Sequence, residues 1–204
     1  MNLNYEEEIK ARRRRRILKS IMSWSIMIIV VVALAYFVVR FCLIRTSTIG
    51  AAMENTLYNG EDVLINTKAY LVLSPSRNDI IAFYDEGSSS VGDKESLIIF
   101  RRIIGLPGEK IKINNGKIYI NDKEYKEEYE FPELTTGGVA EDEITIGDDE
   151  YFVLCDSRTD IEDSRNASFG MVKKGRIVGR VIFKIKPFSL VKGPVKEGTA
   201  ETAK

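Results

Sequence analysis

Residues 21–39 are apolar throughout except for Ser23 and Ser25, and an uninterrupted run of arginines, Arg12 to Arg16, precedes them. A helix of this length extends about 28 Å, close to the hydrocarbon thickness of a bilayer. Trp24 near one end and Tyr36 near the other suit the two interfaces, and Arg40 closes the span. The arginine run favours the cytoplasmic side, which places the chain from Arg40 onward outside. A cleavable secretory signal would be shorter and would end in small residues, whereas residues 37–41 read Phe-Val-Val-Arg-Phe. The expectation is an uncleaved single-pass cell-membrane anchor, with the N-terminus cytoplasmic and the C-terminal domain extracellular. The segments are residues 1–20 as a basic N-terminus, 21–39 as the transmembrane helix, 46–186 as one extracytoplasmic domain and 187–204 as a flexible tail.

Roughly 140 residues outside the anchor suffice for one domain with a hydrophobic core. Thirty basic residues balance thirty acidic ones, so nucleic acid is not an expected partner. The chain has no histidine, which removes Ser/His and Cys/His mechanisms. With only Cys42 and Cys155, neither a zinc site nor a disulfide framework is expected, and no metal or other cofactor is. Both cysteines are expected to be free, and Cys155 reads as a small buried thiol.

Beyond the anchor the pattern is of short strands between turn residues. Residues 62–66, 79–84, 97–104, 151–155 and 175–186 read as strands. Residues 110–113 and 117–120 alternate with period two around Asn114-Asn115-Gly116, a hairpin signal. Residues 85–96, with three serines and two glycines, read as a surface loop. Residues 160–167 are the one candidate for a short helix. The fold class expected is mainly β, an antiparallel-sheet domain behind one N-terminal transmembrane helix.

Four segments carry a more specific resemblance. Residues 49–57 read Ile-Gly-Ala-Ala-Met-Glu-Asn-Thr-Leu, and residues 77–83 read Arg-Asn-Asp-Ile-Ile-Ala-Phe. Residues 100–109 read Phe-Arg-Arg-Ile-Ile-Gly-Leu-Pro-Gly-Glu, and residues 155–165 read Cys-Asp-Ser-Arg-Thr-Asp-Ile-Glu-Asp-Ser-Arg. In this order behind an N-terminal anchor they resemble the boxes of the type I signal peptidases, which cut signal peptides from exported proteins with a serine nucleophile and a lysine base. The resemblance implies the family's antiparallel β domain, which the strand pattern independently favours.

The resemblance also places the catalytic positions, and all three are altered. The nucleophile position holds Ala52, whose methyl group cannot attack a carbonyl. The base position holds Arg101, whose guanidinium stays protonated and cannot accept a proton from a hydroxyl. The position of the serine that orients the base holds Ile161. Loss of one member of such a unit typically costs about 10⁴ to 10⁶ in turnover. These residues lead to the expectation of no enzyme, a pseudoenzyme of the family that binds exported polypeptide without cutting it. The resemblance extends to degenerate members that assist sortase-built pili in Gram-positive bacteria, which implies a chaperone or scaffold role with pilin subunits and a sortase as partners. Two alternatives stand beside it: an active signal peptidase with an atypical nucleophile, and a regulator of an active one.

In the family the peptide lies as an added strand along a groove between these boxes. Gly50, Met53, Ile81, Phe83 and Ile103 are the candidates for lining it, each equally compatible with ordinary core. Asp156 with Arg158 and Asp163 with Arg165 match family ion pairs and read as ties for the last loop. Arg101 is expected to seek a carboxylate, either internal, with Asp163 as candidate, or on a ligand.

Overall fold

A computed structural model describes residues 3–71, 73–85, 98–185 and 188–191. The chain divides into two compact units, Met1–Leu43 and Ile44–Lys204.

The first unit is a helix, α1 (Leu3–Cys42). Its stretch Arg13–Cys42 is long and apolar enough to cross a membrane, and none of its most apolar window is buried within the protein. The helix runs well upstream of residue 21, because Glu, Lys, Ala and Arg are strong helix formers and nothing in residues 3–16 breaks a helix.

After the helix the described residues form twelve strands. In chain order they are β1 (Leu43–Ser47), β2 (Asp62–Asn66), β3 (Ile80–Tyr84), β4 (Ile98–Gly105), β5 (Lys110–Asn114) and β6 (Lys117–Ile120). There follow β7 (Lys123–Tyr125), β8 (Ile144–Thr145), β9 (Glu150–Leu154), β10 (Val172–Lys173), β11 (Ile177–Ile185) and β12 (Phe188–Leu190). One sheet has the order β1-β2-β11-β3-β4-β9-β10 with β12 added to β11, and a smaller one has the order β7-β6-β5-β8. The pairings of β3 with β4 and β11, of β9 with β4, of β2 with β11 and of β5 with β6 are antiparallel, as expected for a β domain with no crossover helices among the described residues.

The hairpin β5–β6 turns where the Asn-Gly signal predicts. Asn115 and Gly116 both have positive φ, 50° and 73°, as a two-residue hairpin turn with matching twist requires. Its apolar face, Ile111, Ile113, Ile118 and Ile120, closes on Phe152 and Leu154 of β9 in one core cluster. A second cluster gathers Met53 and Leu57 over Val63, Ile65, Ile80, Ala82 and Phe100. This anchors the 49–57 segment to the large sheet.

Two expectations need correction. Residues 160–167 form turns, not a helix. The Asp160 carboxylate accepts the Glu162 N–H (3.0 Å) and the Asp163 carboxylate accepts the Arg165 N–H (3.0 Å), so side chains take the amides a helix would use. The two short 3-10 turns lie elsewhere, at Gly138–Glu141 and Lys174–Arg176. The ordered domain also runs past residue 186, since β12 pairs with Phe183–Ile185 and Val191 is buried in the second cluster. The expected surface loop lies almost wholly outside the described residues, as do residues 192–204.

Backbone proximity fixes one position in β11. A side chain at Gly179 would collide with the Asn66 carbonyl of the neighbouring strand, whereas Gly175 faces open space. Gly179→Ala should therefore destabilise the domain by about 1–3 kcal/mol, and Gly175→Ala should stay within about 0.5 kcal/mol. Urea denaturation of the full chain followed by ellipticity checks both, and equal midpoints would contradict this packing.

Candidate functional site

The 48–61 segment is a closed loop. The Thr48 N–H donates to the Glu61 carbonyl (2.9 Å) and the Gly60 N–H donates to the Thr48 carbonyl (2.9 Å). The Gly50 N–H donates to Asn59 Oδ1 (3.1 Å), with Gly50 at φ +90°, a conformation that suits glycine. Three bonds sew this loop to the turn after β9. The Ser157 N–H donates to the Ala52 carbonyl (3.0 Å), Asn55 Nδ2 reaches the Asp156 carbonyl (3.5 Å), and the buried Thr56 hydroxyl donates to the Asp156 carboxylate.

A cavity of about 110 Å³ opens beside Ala52. Residues 48–53 and Leu57 line one side, residues 98–101 of β4 the other, and Glu162 contributes to the wall. The backbone at residues 98–101 pairs with β3, while β9 pairs only with Arg102, Ile103 and Gly105. Among the described residues, no strand covers the opposite edge of β4 at residues 98–101.

Ala52 and Arg101 meet at this cavity. The Arg101 side chain is almost fully buried. Its Nε donates to the Glu162 carbonyl (2.6 Å), its Nη1 to the Phe100 carbonyl (2.6 Å), and its guanidinium lies over the Phe169 ring at 5.6 Å. Glu162 Oε2 stands 3.7 Å from Nη2. Asp163 is not its partner, because that carboxylate accepts from Arg165 Nε (2.9 Å), Arg165 Nη2 (2.8 Å) and the Cys155 N–H (2.9 Å). Ile161 is 46% exposed and does not line the cavity.

Of the groove candidates, Gly50 and Met53 line the cavity. Ile81, Phe83 and Ile103 do not. They are fully buried with Tyr151, Val153 and Val172 in a third core cluster, because their places in β3 and β4 direct them into the protein.

The nearby hydroxyls and thiol are committed elsewhere. The Thr48 hydroxyl donates to the Tyr58 and Glu61 carbonyls, and Thr56 is held by Asp156. Cys155 is a fully buried free thiol whose Sγ faces the Glu162 carbonyl. Burial pushes this thiol well above the usual range, more than the nearby Arg101 lowers it, so it stays protonated and unreactive. The buried Lys184 is ion-paired to Glu61 at 2.9 Å and is not part of the cavity wall.

The ion pairs beneath the site differ from the expected ones in one respect. Asp163 does pair with Arg165. Asp156, however, pairs with Arg102, which donates from Nε (2.7 Å) and Nη2 (2.6 Å) in a two-pronged contact, with both side chains fully buried. Arg158 bonds to Glu127 instead and stacks on Phe131 at 4.2 Å. Arg158 follows Asp156 by two residues in a turn, whereas Arg102 comes from β4 with its guanidinium already aimed at the carboxylate. Sequence reasoning missed Arg102 and Glu127. The available signal was the Arg101-Arg102 doublet in a strand, since adjacent strand residues face opposite sides and both sides here are buried.

The family described as "Signal peptidase, peptidase S26" matches residues 21–186. Among curated relatives, signal peptidase I U of Bacillus subtilis is 32% identical over 185 residues, covering 86% of this chain and 92% of its own. Signal peptidase I of Bacillus amyloliquefaciens is 29% identical, covering 90% and 98%, and signal peptidase IB of Staphylococcus aureus is 28% identical, covering 84% and 92%. A crystal structure of a signal peptidase I from Enterococcus faecalis matches at a TM-score of 0.40 and 28% identity, over 52% of this chain and 96% of its own. The three curated relatives overturn the expectation of no enzyme, because proteins named as signal peptidases match most of both chains. Ala52 and Arg101 then constrain which chemistry the site can use.

Glu127 offers a test of the buried network. Burial raises its carboxyl above the ordinary 4.5, outweighing the attraction of Arg158 and Arg102, and the nearby Asp156 adds to the rise. The folded protein therefore holds this proton where the unfolded chain has released it. Its contribution to stability falls as pH climbs past 4.5, until the folded carboxyl also ionises. Glu127→Gln should remove that component, so the stability of wild type should fall relative to the variant's from pH 4.5 toward neutrality. Denaturation midpoints at a series of pH values read the slope, and identical slopes would contradict the assignment.

Proposed function

The chain belongs to the signal peptidase family, peptidase S26, and on that premise we propose that it acts on signal peptides of exported polypeptides, held as an extended strand between residues 48–53 and β4. The observation that carries this reading is the edge of β4 at residues 98–101, which no strand among the described residues covers, facing a cavity whose other wall is the loop of Ala52. A peptide there gains backbone hydrogen bonds from the strand edge and a pocket for a side chain. The partner is a signal-peptide-bearing exported polypeptide. The comparisons name signal peptidases and lend no support to pilin or sortase over any other exported chain.

The residues present favour hydrolysis by water over a covalent acyl-enzyme. Ala52 offers no oxygen to acylate, and Thr48, Thr56 and Cys155 are engaged or protonated. Glu162 is the carboxylate in the cavity wall. In this reading water adds to the scissile carbonyl carbon while Glu162 takes its proton, and the negative charge on the carbonyl oxygen faces Arg101. Collapse breaks the C–N bond, and the amine leaves with the proton from Glu162. Positioning and charge stabilisation without the family's nucleophile are worth about 10³–10⁴ over uncatalysed attack, so turnover should be slow.

The helix α1 and the Arg12–Arg16 run support a membrane anchor with the β unit outside. Protease added to intact spheroplasts should digest the second unit and spare the N-terminal basic segment; digestion of the basic segment with the second unit protected would reverse the topology.

Full-length protein in detergent, incubated with a purified precursor, should release mature polypeptide slowly, with no acyl adduct in the acid-quenched intact mass. Glu162→Gln should slow that release at least tenfold. Release no faster than from precursor alone would overturn the hydrolytic reading.

A further inference from the structure

We propose that this groove is a receptor for the free terminal carboxylate of a peptide, with Arg101 as the group that binds it; the proposal rests on the peptide-binding reading above. The buried guanidinium spends Nε and Nη1 on two main-chain carbonyls, of Glu162 and Phe100. Carbonyls hold the group in place without cancelling its charge. Among the described residues, the one carboxylate within 4 Å is that of Glu162, at 3.7 Å from Nη2, beyond a normal hydrogen bond. That side chain is 77% exposed, so it sits as a loose counter-ion at the mouth of the site. Asp163, the obvious internal alternative, is fully committed to Arg165 and the Cys155 N–H.

A cation held out of water is costly unless an anion meets it at close range. A planar guanidinium with unspent N–H groups matches a carboxylate in shape as well as charge. Beside Arg101, Ala52, Met53 and Phe100 add apolar side chains to the cavity lining. An uncut peptide brings neutral amides to this place. A cut one brings a new α-carboxylate at the carbon that had been the scissile carbonyl. The ligand class is therefore an extended peptide with an apolar last residue and a free carboxyl terminus, the chemistry of a released signal-peptide fragment. Binding displaces the Glu162 carboxylate toward solvent, and the peptide's carboxylate takes its place at Nη2.

The test uses the full chain in detergent micelles and two fluorescent peptides of one apolar sequence, one ending in a carboxylate and the other in a carboxamide. Anisotropy titration at neutral pH should show the carboxylate form binding about tenfold or more tightly, the scale of one charge-assisted hydrogen bond. Arg101→Gln should abolish the difference. Because that change alters a buried group, Glu162→Gln supplies a second reading: it removes the competing anion and should widen the carboxylate-to-carboxamide preference several-fold, and an unchanged or smaller preference would contradict the proposal. Equal affinity of the two peptides for wild type would overturn this proposal and leave the peptide groove standing. Binding of neither would overturn the groove reading, and this proposal with it.

Discussion

The two-pronged contact between Arg102 and Asp156 sets the position of everything around the site. Both side chains are fully removed from solvent, and they come from β4 and from the turn after β9. The same carboxylate accepts the Thr56 hydroxyl, so the 48–61 loop is referenced to the same point. Arg102 Nη1 adds the Asn78 carbonyl at 2.9 Å, just ahead of β3, and the rings of Tyr129 and Phe131 lie 5.6 and 5.2 Å from its guanidinium. A buried pair of this kind adds little net stability over an apolar replacement, yet removing one partner costs about 3–5 kcal/mol because the other is stranded. Its role is geometric: it fixes how far the Ala52 loop can stand from β4, and therefore the width of the groove.

Alternation along β4 divides the labour between neighbouring residues. Arg102 turns inward to Asp156 and joins the scaffold, while Arg101, one residue earlier, faces the cavity. A one-residue slip of register would exchange these two environments. Pairing of Ile81 with Arg101 and of Ile80 with Arg102 across β3 holds that register, with Ile81 and Ile80 in separate core clusters.

Much of this was legible in the residues. The helix, the β5–β6 hairpin and the principal strands follow from apolar runs, period-two alternation and an Asn-Gly turn. The segments around Ala52, Arg101 and Asp163 could be placed in order along the chain. Strands of two or three residues, such as β8 and β10, were not legible, because so short a segment carries no period and exists only by pairing with a neighbour. The same limit explains Ile81, Phe83 and Ile103. Their strands were recognised, and they share a sheet face with Arg101, but which part of that face is packed over and which stays open depends on what lies above it. Arg158 and Glu127 show the limit most sharply, since the pair is thirty-one residues apart and rests on an irregular segment with no pattern to read.

If Arg101 stands at the family's base position, as the resemblance implies, a guanidinium in place of an amine changes the kind of work the groove can do. A lysine in a desolvated pocket can lose its proton, and a hydroxyl beside it then becomes a nucleophile. Arginine keeps its charge whatever the burial. The site therefore holds a permanent cation in Arg101 beside the methyl group of Ala52. Such a site favours anions, whether transient on a carbonyl oxygen or lasting on a carboxylate. The lasting anion is favoured more, because a full charge gains more from a fixed cation than a fleeting one. On the carboxylate-binding proposal, cleaved product is then held more firmly than uncut substrate.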